Sequence, residues 1–238
     1  MKNVLVTGST GTLGEELIKT LSKNNYNVIA HYHRNEIKVQ KLKEQLPNIE
    51  FIKSDLTSEE EINIMVDKII EKYKHIDILI NNAAFYQDEA LEEKTKETFM
   101  KVLDVNLIAP FLLSKKIGKY MLEEKKGKII NIASTNGIDT FYPESVDYDA
   151  SKAALINLTK NMAKYYAPYI TVNAIAPGWI ETKETLNMEE NFKKEETNKI
   201  LLKRFAKPNE IVECIMFVCA NDYINSSVIR IDGGKEWI

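Results

Sequence analysis

Short runs of β-branched and apolar residues alternate along this chain with longer stretches of helical spacing, and that alternation leaves few folds open. The strand candidates are residues 3–6, 28–32, 49–53, 76–81, 128–132, 170–174 and 228–231, while helical spacing fills 15–23, 59–73, 96–122, 148–166 and 209–219. The strand runs are apolar throughout rather than at every second residue, the pattern of strands buried on both faces. Separated by helices, they predict an α/β fold of three layers: a doubly wound parallel sheet of about seven strands, with right-handed crossover helices on both faces. Such a sheet binds ligands at the carboxyl ends of its strands, near the point where strand order reverses. Chemistry-bearing motifs are therefore expected just after strands.

Composition narrows the classes. With 238 residues, 44% hydrophobic and 28% charged, the chain reads as one globular domain, 1–238, without repeat, Pro/Gly-rich linker or low-complexity block. No apolar run reaches the roughly 18 residues of a membrane span. Met1 leads within two residues into VLVTGST, a strand and turn rather than a leader peptide, so a cytoplasmic protein is expected. Acidic residues number 35 and basic residues 32, which lacks the basic footprint of a nucleic-acid binder. Cys214 and Cys219 fall in an apolar helical pattern. Their spacing suits core thiols rather than a metal knuckle or redox pair, and no metal is expected.

The first strand runs straight into TGSTGTLG, with glycines at 8, 11 and 14 and a helix expected to begin near Glu15. Glycines at this spacing let Thr7, Gly8, Ser9, Thr10, Gly11, Thr12 and Leu13 bring backbone N–H groups up to a pyrophosphate, whose charge the helix dipole stabilises. The second strand ends in Tyr32, His33 and Arg34, where an NAD site would carry an Asp or Glu for the ribose hydroxyls. A 2′-phosphate would meet a cation there, so NADP(H) is favoured over NAD(H). Arg34 could equally cap a surface loop. After the third strand Asp55 and Leu56 could flank an adenine ring, with capping of a helix that starts near Ser58 as the other reading of Asp55. The fourth strand runs into Asn81, Asn82, Ala83 and Ala84. Two amides and two small residues allow close backbone approach to a ribose while tying neighbouring strands together.

Tyr148 and Lys152, in YDASK, lie one turn apart on one helical face. In a chain with 11 tyrosines that spacing carries little by itself. Its company carries more: Ser134 follows the fifth strand, and Asn106 sits in DVNL within the long helix. A carbonyl receiving hydride develops negative charge on oxygen and needs a proton donor plus a second hydrogen-bond donor. Tyr148 and Ser134 can supply the two. Tyrosine ordinarily titrates near pH 10, so a fixed cation is needed to stabilise the phenolate. Lys152 is expected to lower it through about 4 kcal/mol of attraction, for a separation of about 4 Å and an effective dielectric of about 20.

Taken together, TGSTGTLG, NNAA, Asn106, Ser134, YDASK at 148–152, VNAIAPGWIET at 172–182 and IDGG at 231–234 resemble, in order and over nearly the whole chain, a short-chain dehydrogenase/reductase of the single-domain kind. The resemblance implies a Rossmann fold, a catalytic set of Asn106, Ser134, Tyr148 and Lys152, and a homotetramer or homodimer built from the long helices and the C-terminal strand. It also implies a water held by Asn106 toward Lys152, a nicotinamide face lined by Pro177 and Gly178 with Ile180 nearby, and a carboxamide contact from Thr182. HYHRN is similar to the cofactor-discriminating segment of NADPH-dependent members. Three places depart from the usual pattern. Thr12 stands where the second glycine is usual, while Gly11 gives the spacing of larger, extended relatives; Ala84 replaces a glycine; Asn225 and Ser226 replace Thr-Gly.

The leading reading is an NADP(H)-dependent oxidoreductase that resembles 3-oxoacyl thioester reductases or general carbonyl reductases. Its partner would be a small carbonyl or alcohol, acyl-carrier and CoA thioesters included, with neither nucleic acid nor membrane involved. An epimerase or dehydratase holding NAD(P) tightly is disfavoured because little chain remains after Gly234 for a substrate lobe. A non-catalytic NADP-binding sensor is disfavoured because Tyr148 and Lys152 are both kept. Residues 183–207 are expected to form a lid of two amphipathic helices carrying Leu186, Met188, Phe192, Ile200 and Leu201, a pattern that ordinary surface helices would share.

Overall fold

The structure, a computed structural model, describes residues 1–235. Seven parallel strands form one sheet in the order β3-β2-β1-β4-β5-β6-β7, with β1 at Asn3–Val6, β2 at Asn27–Tyr32, β3 at Glu50–Lys53, β4 at Ile78–Asn81, β5 at Gly127–Ile132, β6 at Ile170–Pro177 and β7 at Val228–Ile231. Strand order reverses between β1 and β4, so a crevice opens there at the carboxyl ends. Helices cover both faces. Leu17 and Leu21 of α1 (Thr12–Lys23) pack with Ile211 and Ile215 of α9 (Pro208–Ala220) on one face. On the other, Ile62 and Val66 of α3 (Glu59–Tyr73) meet Leu113 and Ile117 of α5 (Ala109–Glu123) and Met162 of α6 (Val146–Tyr166). This is the three-layer α/β Rossmann architecture expected from the alternation of strands and helices.

Polar side chains run through the middle of the sheet. In the β4–β5 register Asn81 stands opposite Asn131; its Nδ2 donates to Asn131 Oδ1 at 2.8 Å, and Asn131 Nδ2 donates to Thr159 Oγ1 at 2.9 Å. Each bond satisfies groups that would be costly to bury alone.

Several boundaries differ from expectation, each for a local reason. The helix expected near Glu15 starts at Thr12, because Gly11 already has the extended conformation of a cap and only Gly14 had argued for a longer loop. Helix α2 (Glu36–Gln45) was not anticipated: only Val39 and Leu42 of its ten residues are buried, so its apolar stripe is too thin to register, and Asn35 Oδ1 caps it by accepting from Lys38 N–H at 3.1 Å. The long helix expected over 96–122 is broken. Helix α4 (Lys96–Leu103) passes into a π-helical turn, Asp104–Ile108, before α5 begins. Pro110 explains the place, since in an unbroken α-helix its missing N–H would have gone to the Asn106 carbonyl. Residues 183–207 hold two short helices, α7 (Lys183–Leu186) and α8 (Glu190–Asn198). Among the described residues, no helix is long and apolar enough to cross a membrane.

The Asn225–Ser226 departure also has a structural answer. Ser226 takes a left-handed φ of +60°, where the usual glycine would be unstrained, while Asn225 Oδ1 accepts from Val172 N–H at 2.9 Å and docks the turn on β6. A left-handed non-glycine costs about 1–2 kcal/mol, of which the greater unfolded-state freedom of glycine returns part. Ser226→Gly should therefore raise the thermal midpoint by about 1–4 °C. No rise in a calorimetric scan would show that this turn carries no strain.

Candidate active site

The crevice begins at the loop between β1 and α1. Thr7 Oγ1 accepts from the N–H groups of Asn82 and Ala83, both at 3.0 Å, and Asn82 Nδ2 donates to the Thr7 carbonyl at 2.8 Å and to that of Gly8 at 3.2 Å. The loop is thereby stitched to the end of β4. Gly8 has φ +68°, and a Cβ there would lie 2.7 Å from Ala83 Cα; at Gly14 a Cβ would lie 2.2 Å from the Gly8 carbonyl oxygen. These two glycines are sterically required. At Gly11 a Cβ would meet nothing closer than 3.5 Å, so the displaced second glycine changes no packing. Gly11 is the N-cap of α1 and no side chain caps the helix, which leaves its first-turn N–H groups and positive dipole end available to an anion. Ser9 Oγ is fully buried beside them with no partner.

His31, at the end of β2, escaped the sequence reading. Its Nδ1 accepts from Gly8 N–H at 3.2 Å and its Nε2 faces the Ser54 carbonyl at 3.0 Å. The two bonds require one tautomer, neutral with the proton on Nε2. Burial holds this imidazole far below its usual range, at about 4. One ring on β2 thus joins the loops after β1 and β3. The signal available was a polar residue inside an otherwise apolar strand.

Beyond it, Tyr32 is partly buried and Arg34 is exposed. Arg34 Nε donates to His33 Nε2 at 3.4 Å, and His33 Nε2 lies 3.3 Å from Asp55 Oδ2. Asp55 does not cap α3. Its Oδ1 accepts from Thr57 N–H and Oγ1, at 2.9 and 2.8 Å, whereas Ser58 Oγ caps the helix by accepting from Glu61 N–H at 3.2 Å. Leu56, expected beside an adenine, is only 6% exposed and belongs to the core beneath α3. The loop turns it inward, and the apolar character that suggested a ring contact is used in packing.

At the other end of the crevice, β5 leads to Ser134, and the first turn of α6 carries Tyr148 with Lys152 one turn on. The segment between them packs directly on the helix backbone: a Cβ at Gly137 would lie 2.6 Å from the Lys152 carbonyl carbon. Lys152 is 2% exposed, and its Nζ donates to the Ile132 carbonyl at 2.8 Å while lying 5.4 Å from the Tyr148 ring centroid. Ser134 Oγ lies 3.1 Å from Asn136 Oδ1. Asn106 projects from the π turn, fully buried. Its Oδ1 accepts from Phe85 N–H at 2.8 Å, and its Nδ2 donates to the Phe85 carbonyl at 2.9 Å and to Ser151 Oγ at 3.0 Å. It thus touches the residue beside Lys152, not Lys152 itself.

One electrostatic expectation is reversed. Burial pushes the Tyr148 phenol up to about 12; the Ser134 hydroxyl opposes this, and Asp149, Tyr86 and Asp88 add to it. Lys152 is itself lowered to about 8 by burial. Its ammonium lies 5.4 Å from the ring centroid and donates to the Ile132 carbonyl, and burial of the phenol outweighs the attraction expected from spacing.

A cavity of about 920 Å³ spans both ends, reaching from Gly11 and Thr12 to Ser134 and Tyr148, with Gly178, Ile180 and Thr182 along it. Ala84 lines it too, and the methyl that replaces the usual glycine is accommodated at the exposed rim. Pro177 ends β6, and Gly178 N–H donates to the Ile231 carbonyl at 2.9 Å. Thr182 caps α7, its Oγ1 accepting from Thr185 N–H at 3.2 Å. Trp179 is a wall that the sequence did not reveal. It stacks on Phe205 with centroids 5.5 Å apart and meets Tyr142 and Phe192 edge-on. Glu196, the buried residue of α8, accepts from Trp179 Nε1 at 3.0 Å and Tyr142 Oη at 2.5 Å. The expectation of apolar helix faces over 183–207 holds in part: Met188, Phe192 and Ile200 line the cavity, whereas Leu186 and Leu201 are exposed because a single-turn helix and a turn cannot aim them inward.

Comparisons with known proteins give a consistent picture. Residues 2–193 match the family model described as short chain dehydrogenase. The 3-oxoacyl-(acyl-carrier-protein) reductase FabG of Thermotoga maritima is 34% identical over 98% of this chain and 97% of its own. Among solved structures, ElxO with NADP bound superposes with a TM-score of 0.90 at 30% identity, and 4-hydroxyisoleucine dehydrogenase complexed with NADH with a TM-score of 0.92 at 32% identity, each covering 98% of both chains.

The burial of Lys152 gives a stability prediction. Its folded value, about 8, lies below the usual 10.5, so the charged form is penalised by about 3 kcal/mol in the folded state below pH 8. That penalty fades as pH rises from 8 to 10.5 and is absent above. Lys152→Met should therefore gain stability relative to wild type as pH falls through that window and hold the gain below it. Denaturant titrations at pH 7.5, 9 and 10.5 check this, and a constant difference would show that the ammonium is not penalised.

Proposed function

This chain belongs to the short-chain dehydrogenase family and is an oxidoreductase acting on CH–OH groups; we propose that it is NADP(H)-dependent, with Tyr148 as the acid/base for a small carbonyl or alcohol. The observation that carries the reading is one crevice holding a glycine-lined, uncapped helix start at one end and Ser134 and Tyr148 at the other, with Lys152 buried behind them. The residues present fit a nicotinamide dinucleotide. Gly8 and Gly14 leave no room for side chains, the α1 N–H groups are open to a pyrophosphate, and Ser9 Oγ is a buried hydroxyl awaiting a partner. Thr7, Thr10, Gly11, Thr12 and Leu13 would complete that cradle. Asp55, Asn82, Ala83 and Ala84 would serve the adenosine and ribose, and Pro177, Gly178, Ile180 and Thr182 the nicotinamide.

When bound, the nicotinamide gives or takes the hydride. The protein's part is the proton and the negative charge on the substrate oxygen. A phenol held near 12 carries its proton at neutral pH, the form that a carbonyl reduction consumes, so Tyr148 donates while Ser134 Oγ supports the same oxygen. Lys152, anchored on Ile132, contributes positive charge beside the ring, and Asn106 ties the Phe85 backbone to the Ser151 hydroxyl on α6.

For the coenzyme, Arg34 and His33 at the end of β2 favour the 2′-phosphate form, with Tyr32 where a ribose-binding carboxylate would otherwise stand. For the substrate, Tyr86, Tyr142, Trp179 and Phe192 give the cavity an aromatic wall suited to the apolar body of a 3-oxoacyl or other carbonyl compound. We take 1–238 as one domain with 183–207 as its lid, held by Glu196 on Trp179 and Tyr142. Exposed Ile108 and Phe111 near the π turn, and Tyr165 on α6, support a homo-oligomer, a tetramer or dimer, closed through the long helices.

Tyr148→Phe should lower kcat by about 10²–10⁴ with NADPH affinity retained, as loss of one general acid predicts. Turnover within a factor of two of wild type in a 340 nm assay would refute the assignment. Arg34→Asp should weaken NADPH binding by at least about tenfold and leave NADH nearly unaffected, through loss of a charge-assisted bond and gain of a repulsion. Equal weakening of both coenzymes in fluorescence titrations would assign Arg34 to structure alone.

A further inference from the structure

The segment between β4 and α4 reaches the cavity through Tyr86 and Asp88 and then returns to the start of α6. Glu89 N–H donates to the Glu144 carbonyl at 3.2 Å, Ser145 Oγ donates to Asp88 Oδ1 at 2.5 Å, and the Tyr86 ring meets Tyr148 edge-on with centroids 6.3 Å apart. Beneath these contacts lies a buried ion pair. Lys94 Nζ is 3.0 and 2.9 Å from the two carboxylate oxygens of Asp147, the side chains being 4% and 0% exposed. Lys94 Nζ also donates to the Gln87 carbonyl, and Asp147 Oδ1 accepts from Tyr148 N–H at 2.9 Å.

A pair this deeply buried is a poor device for stability, because desolvation offsets the attraction, and neutral side chains of similar size often hold a fold as well. What it supplies is direction. The ammonium fixes Gln87 and both oxygens of Asp147 at once, and Asp147 is the residue next to Tyr148 and bonded to its amide. We propose that Lys94 and Asp147 are positioning residues for the reaction: the pair sets where the Tyr148 phenol stands relative to the cavity loop 85–94. The proposal rests on Tyr148 being the acid/base. A proton donor misplaced by about 1 Å can lose about two orders of magnitude in rate, so the pair acts on kcat rather than on coenzyme binding.

The test is the double variant Lys94→Met with Asp147→Asn in the full chain, which removes both charges together and leaves neither buried alone. Acetoacetyl-CoA, ethyl acetoacetate and benzaldehyde serve as carbonyl probes with NADPH. The expected result is a thermal midpoint within about 3 °C of wild type and an NADPH dissociation constant within about twofold, with kcat lowered at least about tenfold and KM changed less than about threefold. Wild-type kcat in the double variant overturns the proposal, as does a rise in KM alone. A fall in midpoint beyond about 10 °C together with lost NADPH binding overturns it in favour of a scaffold role. Tyr148→Phe, run alongside, separates the two levels. If it remains active, or if wild type reduces none of the probes, the acid/base reading fails and the pair's role with it; if it is inactive while the double variant is fully active, only the pair's role fails.

Discussion

The hydrogen bond from Lys152 Nζ to the Ile132 carbonyl is the constraint around which the catalytic end is arranged. It joins the middle of the second turn of α6 to the last residue of β5, two positions before Ser134. A helix and a strand held at that point bring a tyrosine one turn earlier and a serine two residues later onto one cavity, although a long segment of chain separates them. Gly137 lets the intervening chain lie flat on the helix backbone, and Asn131, just before Ile132, is tied to Asn81 on one side and Thr159 on the other. The charge that anchors α6 is also the one that burial makes reluctant to exist. Stability and chemistry therefore draw on the same ammonium in opposite senses.

The coenzyme end is organised differently. There the geometry is set by the lack of side chains at Gly8 and Gly14 and by backbone bonds, with Asn82 and His31 as the polar clamps. The sheet brings the two ends together because strand order reverses between β1 and β4, so the loop after β1 and the loops after β4, β5 and β6 open on one crevice.

Much of this was legible in the sequence because parallel strands buried on both faces announce themselves as apolar runs, and glycine spacing next to a strand has few explanations. All seven strands lie where such runs were found, with ends shifted by up to three residues. What the sequence concealed had physical causes. Helix α2 is held by a cap and two buried residues, too little for periodicity to detect. The π turn depends on Pro110, a residue tolerated in a helix start and so easily passed over. Leu56 and Asp55 have side chains that suit a ligand and suit packing or a turn equally well, and only coordinates separate the two. The wall formed by Trp179, Tyr142 and Glu196 joins residues up to 54 positions apart, a contact that no local pattern encodes. The phenol of Tyr148 was misjudged because spacing gives proximity to Lys152 but not the depth at which both groups lie.

His31 carries a consequence for the coenzyme end. Its Nδ1 can receive the Gly8 amide only while it is free of a proton, so the shape of the glycine turn and the ionisation of one ring are a single thermodynamic variable. Because the folded ring resists protonation until about pH 4, whereas an unfolded histidine takes up a proton near 6.5, acidification between those limits favours opening of the turn. Acid thus loosens the grip on dinucleotide in a range where the proton-transfer groups, Tyr148 at about 12 and Lys152 at about 8, already carry their protons.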